Sequence, residues 1–335
     1  MTKPFRSGSR LLFLAAGIGL ILVTALLVSP RPLVALGDLF IGPIRNGYSF
    51  GNLISTAVLL TISGIGIAAA MSSGSFNLGG EGQAYLGALL PVLLILTFPG
   101  IPPFLGVPLA IAAGVSGGAL MGWVSGFARE KLGADELISS YLAAGAVIPI
   151  IDYLIAVPLR DPESYLLSTP KIPGQFRLEL LLPPSQLTSA LFAGLLLAAA
   201  WWFLNRFTLP GYELRLSGAN PRFAGFAGIA VSGYRIGSMT ASGALCGLAG
   251  ALVSLGAYGA AVQGGTAGIG WNGIAVALIA RYRPAMILPA ALFFAYLTQG
   301  LSTAVMDSGV SFEMSLLLQA AVFIAITAGD GRRRE

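Results

Sequence analysis

Most of this chain consists of apolar runs that are long enough to cross a lipid bilayer. A transmembrane helix needs about 20 predominantly apolar residues, and most of these runs reach about 17–25. The runs fall at about 11–28, 52–71, 82–98, 104–127, 136–158, 187–205, 235–258, 271–280, 284–305 and 310–328. The run at 271–280 is shorter and predicts a half-helix that is buried against protein rather than lipid. The sequence therefore predicts an all-α, polytopic membrane protein with about ten transmembrane segments and broken helices.

Composition agrees with a chain that lies in the bilayer. Apolar residues make up 56% and charged residues only 10% of the 335 positions, against roughly 25% charged residues in soluble domains. No hydrophilic stretch is long enough for a separate soluble domain, so we expect residues 1–335 to form a single transmembrane domain. Histidine is absent and Cys246 is the one cysteine. These counts exclude an intrachain disulfide, His-based metal or haem sites and His-dependent nucleophiles, and we expect neither a metal nor a cofactor.

The basic residues predict how the chain is oriented. The first run follows three basic residues and is longer than the roughly 7–15-residue core of a signal peptide, so we expect an uncleaved first helix with a cytoplasmic N-terminus. Alternating crossings then place 14 of the 19 Lys and Arg residues in cytoplasmic regions, including the C-terminal tail. Because these residues are scattered in short loops, they indicate positive-inside topology rather than a nucleic-acid partner.

A row of glycines marks the run at 104–127. Gly114, Gly118, Gly122 and Gly126 are four residues apart and therefore share one face of a helix. Small residues allow the backbones of membrane helices to approach closely. The row predicts a helix-packing face, and nothing in it indicates a direct role in substrate binding.

Two polar, glycine-rich segments interrupt the apolar runs. The first reads FNLGGEGQ over residues 76–83, and the second extends from GGT at 264–266 to WNG at 271–273. Glycine permits a chain to leave helical geometry, and the polar side chains can then line a wet path. The candidate pathway residues are Phe76, Asn77, Glu81, Gln83, Trp271 and Asn272.

The two breaks predict an inverted repeat. Each follows a long run, at 52–71 and at 235–258, and these runs cross the membrane in opposite directions under the expected topology. Inverted repeats with broken helices are a recurring transporter design in which the substrate binds where the breaks meet. We therefore expect pseudo-repeat halves at about 50–186 and 187–330.

The acidic residues leave several roles open. Glu81 is costly at membrane depth, and it either caps the next helix, lines the pathway or carries a proton. Asp152 is the one aspartate well inside a predicted span, close enough in sequence to Arg160 to pair with it. A single intramembrane aspartate and the lack of histidine exclude the aspartyl and serine types of intramembrane protease. The chain also lacks a G-x-x-x-x-G-K-[ST] phosphate loop, and the glycines at 268–273 lack the strand and acidic residue of a dinucleotide site.

The longest predicted cytoplasmic loop, 206–234, has the start signal of a short helix. Asn220 is suited to cap it and Pro221 to occupy its first position, so we expect a helix over Pro221–Ile229. Its arginines and small residues suit docking of a cytoplasmic partner. Anchoring of the loop to membrane lipid explains the same residues, and both interpretations stay open at this point.

Three segments resemble one transporter family. LSGANPRFAGFAGIAVSGYR at 216–235 resembles the coupling-helix loop of ABC importer permeases of the branched-chain amino acid, ribose and nucleoside group. SGSFNLGGEGQAYLGA at 73–88 is similar to the F-N-[IL]-G-x-E-G-Q motif of the nucleoside and simple-sugar branch. GWNGIAVALIARYRP at 270–284 resembles its late segment, which often has Asp or Thr where this chain has Asn272. The resemblance covers roughly residues 50–330.

The resemblance implies a subunit of a larger transporter in a bacterial inner membrane. Such a permease pairs with a second permease, usually a paralogue, and works with two ATPase subunits and an extracytoplasmic substrate-binding lipoprotein. The long loop at 159–186 resembles that of the larger permease of such a pair. Asn77, Glu81 and Gln83 would then lie near the translocation path. The residues implied in coupling to the ATPase are Gly218, Asn220, Pro221, Arg222, Gly225 and Gly228.

We therefore expect a non-enzymatic permease of an ABC importer that translocates nucleosides or a simple sugar. The alternative is a stand-alone, ion-coupled secondary transporter of a small polar solute, in which Glu81 or Asp152 carries a proton. A self-sufficient transporter has no need for a docking helix in the 206–234 loop, so that loop discriminates between the two.

Overall fold

The computed structural model describes residues 31–309 together with Leu317 and Ala320. The predicted segment at 11–28 and all but two residues of the segment at 310–328 lie outside the described residues. The α-helices of the described part are α1 Pro32–Phe40, α2 Gly47–Ser72, α3 Gly80–Thr97, α4 Pro103–Leu132, α5 Glu136–Ala156, α6 Ala190–Phe207, α7 Leu209–Ala219, α8 Pro221–Phe226, α9 Val231–Val253, α10 Ile269–Ile279 and α11 Pro284–Ser308. A π-helical turn, Ser254–Tyr258, continues α9.

The predicted all-α membrane architecture is confirmed. Seven helices of the described part are long and apolar enough to cross a membrane, counting α9 with its π-helical turn: α2, α3, α4, α5, α6, α9 and α11. The predicted half-helix is the 11-residue α10. These seven spans leave the expected count of ten unconfirmed. Helix α1 lies between the predicted segments at 11–28 and 52–71.

The described chain forms two compact units. One contains the described parts of Met1–Leu53 and Leu292–Glu335, and the other is Ile54–Ala291. In the first unit, Arg45 pairs with Asp38 at 3.1 Å and with Asp307 at 2.5 Å. The second unit contains both polar breaks. The single domain with two pseudo-repeat halves stays a prediction.

The predicted glycine face packs α4 against α9. A methyl group on Gly118 would lie 2.2 Å from the carbonyl oxygen of Gly243, and one on Gly122 would lie 2.2 Å from that of Met239. A methyl group on Gly126 would lie 3.0 Å from the Met239 Cβ of α9. One on Gly114 would lie 2.6 Å from the Gly87 carbonyl oxygen of α3 and 2.9 Å from the Ala251 Cβ of α9, so this end of the face packs against both helices. The backbones of the two helices are thus in direct contact, so side chains larger than hydrogen do not fit between them.

The long loop between α5 and α6 folds back onto the helices. Phe176 is fully buried and Ile172 is 2% exposed, and both belong to a core cluster with side chains of α3 and α5. The Ile172 N–H donates to the carbonyl of Gly259 at 2.8 Å, and the Thr169 N–H donates to that of Ala261 at 2.9 Å. The loop therefore holds in place the segment after α9 that continues into the second polar break.

Candidate functional site

The first polar segment is a buried helix break. Residues 73–79 are non-helical between α2 and α3, and Asn77 is fully buried within them. The Asn77 side chain pairs with that of Gln83, donating to its Oε1 at 2.8 Å and accepting from its Nε2 at 3.2 Å. Asn77 Oδ1 also accepts the Gly79 N–H at 2.9 Å. The two amides thus hold the break and the first turn of α3 in one conformation.

Hydroxyl groups from neighbouring helices satisfy the rest of the break. Ser242 accepts from Asn77 Nδ2 at 2.9 Å, and Ser238 lies 2.6 Å from the Ser73 hydroxyl; both come from α9. Ser140 of α5 accepts the Leu78 N–H at 3.1 Å. Buried polar groups without partners are costly, so these serines make the break possible inside the protein.

A cationic side chain closes the end of the break that is nearer to α2. Arg129, in the last turn of α4, donates to the Gly74 carbonyl at 3.0 Å and to the Ser75 hydroxyl at 2.9 Å. The same guanidinium pairs with Glu136 at 2.5 Å. The break is therefore bound to α4, α5 and α9 at once.

Glu81 joins the two polar breaks. Its Oε1 accepts from the Thr266 hydroxyl at 2.6 Å and from the Gly268 N–H at 3.2 Å, and its Oε2 accepts from the Gly270 N–H at 2.8 Å. Its carboxylate therefore caps a helix, but that helix is α10 from the other break rather than α3, on which Glu81 itself lies. A negative charge is favoured at a helix N-terminus. The breaks meet, as an inverted-repeat transporter would require.

The meeting point lies deep in the helix bundle. A methyl group on Gly82 would lie 2.6 Å from the Ala144 Cα and 3.3 Å from the Met121 Cε. Ala144 is near the middle of the 21-residue α5, and Met121 lies within the 30-residue α4. Gly270 fits directly against the backbone of Glu81, where a methyl group would lie 2.1 Å from the Glu81 nitrogen.

A second polar chain lies close to this junction. The Tyr85 hydroxyl donates to Asp152 Oδ1 at 2.5 Å and accepts the Gly264 N–H at 3.0 Å. Asp152 thus bonds Tyr85, and no ion pair joins it to Arg160 in the described part of the chain, where Arg160 lies in the loop beyond the end of α5. This contact fixes the start of the second break against α3 and α5.

The candidate pathway residues differ in exposure. Asn77, Glu81 and Gln83 are buried and bonded to protein, whereas Phe76 and Asn272 are partly exposed and Trp271 is 39% exposed. The Trp271 ring lies 6.1 Å from that of Tyr141, an exposed residue of α5 that the sequence pattern did not single out. The structure therefore separates residues that shape the break from residues that face open space.

The short helix predicted in the 206–234 loop is present as α8 and is shorter than expected. Asn220 caps α8 by accepting the Phe223 N–H at 3.0 Å, and Pro221 is the first helical residue. The helix ends at Phe226 rather than Ile229, because Gly228 has a φ of +82° that a helix cannot accommodate. Phe226 is 93% exposed, and Phe223 is 56% exposed. Sequence reasoning missed these two rings, although aromatic residues in a polar loop are a usable signal for a docking surface.

The segment before the docking helix contacts the first break. Helix α7 was not expected in the 206–234 loop, and Gly218 lies near its end. A methyl group on Gly218 would lie 2.3 Å from the Ser72 carbonyl oxygen and 2.8 Å from the Gly74 nitrogen. Gly74 itself has a φ of +77°, which a residue with a side chain rarely adopts. The loop that carries α8 is thus in backbone contact with the polar break.

Two further features carry no polar chemistry. An apolar cavity of about 370 Å³ lies between α6, α7 and α9 and is lined by residues such as Trp201, Leu214 and Tyr234. Cys246 is buried in α9. Among the described residues, no group of His, Cys, Asp and Glu is arranged to hold a metal ion.

Family comparison decides what kind of protein carries this site. A family model described as the permease component of a branched-chain amino acid transport system matches residues 49–327. The chain belongs to this family. It is therefore a multi-pass membrane permease of an ABC transporter, not itself an enzyme, and associates with the ATPase and other components of that transporter.

Individual relatives of this permease agree with the family match. It is 32% identical over 316 residues to the "Probable riboflavin import permease protein RfuC" of Treponema pallidum, covering 93% of this chain and 83% of the relative. It is 30% identical over 324 residues to a guanosine ABC transporter permease of Bacillus subtilis, with 95% and 91% covered. A nucleoside ABC transporter permease of Lactococcus lactis subsp. cremoris is 30% identical over 307 residues, with 88% and 84% covered.

A solved structure shows the same fold. It is described as an inward-facing conformation of a metal-chelate type ABC transporter, with a TM-score of 0.50 and 16% sequence identity. The match covers 93% of this permease and 97% of that chain. At this identity the likeness concerns the fold alone.

Proposed function

We propose that this permease imports nucleosides. The observation that carries the proposal is that relatives named for guanosine and nucleoside transport align with most of this chain and most of their own length. A simple sugar is the second candidate, because a glucose ABC transporter permease of Haloferax volcanii is 26% identical over 336 residues. Family membership argues against the stand-alone ion-coupled transporter, since it supplies an ATPase as the source of energy.

The proposed assembly contains four further subunits. This permease pairs with a second permease, a paralogue, and the pair carries two ATPase subunits on the cytoplasmic side. An extracytoplasmic lipoprotein binds the cargo and delivers it to the other side. The assembly spans a bacterial inner membrane in contact with its lipid, and both termini of this permease are cytoplasmic.

The proposed mechanism is alternating access driven from the docking helix. The exposed rings of α8 insert into the ATPase, together with Arg222, Gly225 and Gly228. Movement of α8 passes through Asn220, Pro221 and Gly218 to the end of α2 and the start of the first break. The Gly218 backbone directly contacts Ser72 of α2 and Gly74 of the break. Backbone-to-backbone contact transmits displacement with little slack, because packed cores do not deform continuously.

The break then passes this movement to the second break. Asn77 and Gln83 keep the first break rigid, and the Glu81 carboxylate holds the N-terminus of α10. A shift of α3 therefore moves α10 and its exposed Trp271 and Asn272. In this proposal the buried polar residues shape the pathway, and Phe76, Trp271 and Asn272 lie along it.

Reconstitution tests the cargo directly. The permease pair, its ATPase and its binding protein are placed in proteoliposomes with ATP inside and radiolabelled guanosine or glucose outside. We expect ATP-dependent accumulation of guanosine, and we expect excess unlabelled guanosine but not glucose to abolish it. Accumulation of glucose alone would assign the second candidate.

A further inference from the structure

A hydrogen-bonded turn joins α8 to α9. Helix α8 ends in a Schellman motif, in which the Ile229 N–H donates to the Ala224 carbonyl at 3.0 Å. Gly228 supplies the left-handed conformation that this motif requires. A single residue then separates Ile229 from Val231, the first residue of α9. A displacement of α8 therefore reaches the start of α9 across a short turn that its own hydrogen bonds hold in place.

An ion network links the start of α9 to the first polar break. Arg235, in the second turn of α9, pairs with Glu130 of α4 at 3.2 Å. Glu130 also lies 3.7 Å from the guanidinium of Arg129, and Arg129 donates to the Gly74 carbonyl at 3.0 Å. The network thus runs from α9 through the last turn of α4 to the backbone of the break.

The network is largely shielded from water. The side chains of Arg129 and Arg235 are each 21% exposed, and that of Glu130 is 12% exposed. Salt screens partly buried charges less than surface charges, so their contacts are stronger. Glu130 is the one acidic partner of Arg235 in the part of the chain that the structure describes, where Arg235 Nε is also buried without a hydrogen-bond partner. Arg235 therefore depends on Glu130 to offset the cost of burying its charge.

The chain on the other side of α8 reaches the same residue of the break. A methyl group on Gly218 of α7 would lie 2.8 Å from the Gly74 nitrogen, while Arg129 bonds the Gly74 carbonyl. The two sides are also bonded to each other, because the Tyr234 hydroxyl of α9 donates to Glu213 of α7 at 2.5 Å. Helices α7 and α9 thus flank α8, and the contacts of both converge on Gly74.

We propose that Arg235 and Glu130 are positioning residues that carry the movement of α8 to the first break through α9. This connection adds to the one through Gly218, and the inference rests on the proposed docking of the ATPase on α8. Because the two connections hold Gly74 at its nitrogen and at its carbonyl, a displacement of α8 moves this part of the break as one body. Without the ion pair, α9 moves without Arg129, so ATP hydrolysis continues while less cargo crosses the membrane.

Transport measured per ATP hydrolysed tests this role. The complete transporter is reconstituted in proteoliposomes, and the guanosine accumulated is divided by the ATP hydrolysed. We expect Arg235→Met and Glu130→Met each to lower this ratio about three- to tenfold. Arg235→Lys keeps a positive charge at this position and should restore most of the ratio. The variant with both methionines should show no larger fall than Arg235→Met alone, because the two residues act through one contact.

Two controls separate coupling from folding and docking. The ratio does not depend on how much of the transporter is folded, and Arg206→Met is the matched control for removal of an arginine. Arg206 is exposed in the last turn of α6 and forms no ion pair in the described part of the chain, so its replacement should keep the wild-type ratio. We also expect the ATPase to co-purify with Arg235→Met.

Four results overturn the positioning role. They are a wild-type ratio in Arg235→Met, a ratio in Arg235→Lys as low as in Arg235→Met, a fall in the double variant equal to the product of the two single falls, and loss of the ATPase from Arg235→Met. The last would show that the ion pair holds the assembly together rather than coupling it. Failure of the proposed function is distinct, because the wild-type transporter would then not accumulate guanosine, or Phe226→Glu would retain the ATPase.

Discussion

Replacing Glu81 with glutamine removes the charge that joins the two breaks while keeping the shape of the side chain. The carboxylate accepts three hydrogen bonds, from Thr266, Gly268 and Gly270. A glutamine has one acceptor oxygen and one NH2 group. If its oxygen faces Thr266 and Gly268, the Gly270 N–H loses its acceptor; if the amide is flipped, the Gly268 N–H loses it instead. In either orientation one glycine N–H loses its acceptor.

The magnitude follows from these contacts. A buried donor without an acceptor costs about 1–3 kcal/mol, and the remaining bonds weaken because they no longer involve a charge. Loss of the charge at the α10 N-terminus adds about 0.3–1 kcal/mol. We expect Glu81→Gln to lower the free energy of unfolding by about 2–4 kcal/mol.

Two assays separate this structural role from proton transfer. The free energy of unfolding is measured by denaturation of the purified permease in mixed micelles, and guanosine uptake by the reconstituted transporter is measured between about pH 5.5 and 8. We expect lower stability, and uptake reduced by the same factor at each pH. Glu163→Gln is the control, because Glu163 is exposed in the loop between α5 and α6, and it should change neither quantity. Wild-type stability combined with an altered pH profile would refute the reasoning and return Glu81 to a proton-carrying role.

Three further changes test the coupling and packing of the permease. Phe226→Glu should abolish co-purification of the ATPase, because it replaces the most exposed ring of α8 with a charged side chain. Tyr165→Glu, in the exposed loop between α5 and α6, should leave co-purification intact. Retention of the ATPase by Phe226→Glu would contradict the docking assignment. Gly218→Val should reduce uptake at least about tenfold while the assembly still hydrolyses ATP, since the valine side chain displaces the Ser72 carbonyl at the end of α2. A wild-type ratio of cargo transported to ATP hydrolysed would show that Gly218 does not take part in coupling. Gly118→Ala should destabilise the permease by about 1–3 kcal/mol in the micelle unfolding assay. Gly237→Ala is the control and should be neutral or stabilising, because its added methyl group has no neighbouring atom within 4 Å. Equal effects of the two substitutions would disprove the close packing of α4 and α9.

Much of the fold follows from local pattern. Apolar runs of sufficient length predict the spans, and the short run at 271–280 predicts α10, because both depend on the length of chain that a bilayer accommodates. Asn220 and Pro221 predict the start of α8, because capping is a property of adjacent residues. The polar breaks are visible in sequence for the same reason.

The contacts of the site depend on residues far apart in the chain. Glu81 meets Gly270 across 189 positions, and Tyr85 meets Gly264 across 179. Neither pairing can be derived from the spacing of residues in the sequence. A carboxylate in the first turn of a helix is expected to cap that same helix, so the sequence pointed to α3 rather than α10 as the helix that Glu81 caps. Burial of Phe176 in the long loop between α5 and α6 is equally a tertiary effect. The exposure of Phe226 depends on which face of α8 packs against the protein, and this packing is a tertiary property.

The central claim is that this permease moves its cargo with energy from the ATPase that docks on α8. The direct measurement is guanosine uptake by the complete transporter in proteoliposomes, with ionophores that collapse the proton and sodium gradients. We predict that uptake persists under these conditions and stops when the ATPase subunits carry a substitution that prevents ATP hydrolysis. Uptake that stops with the ionophores and continues with the inactive ATPase would contradict the account.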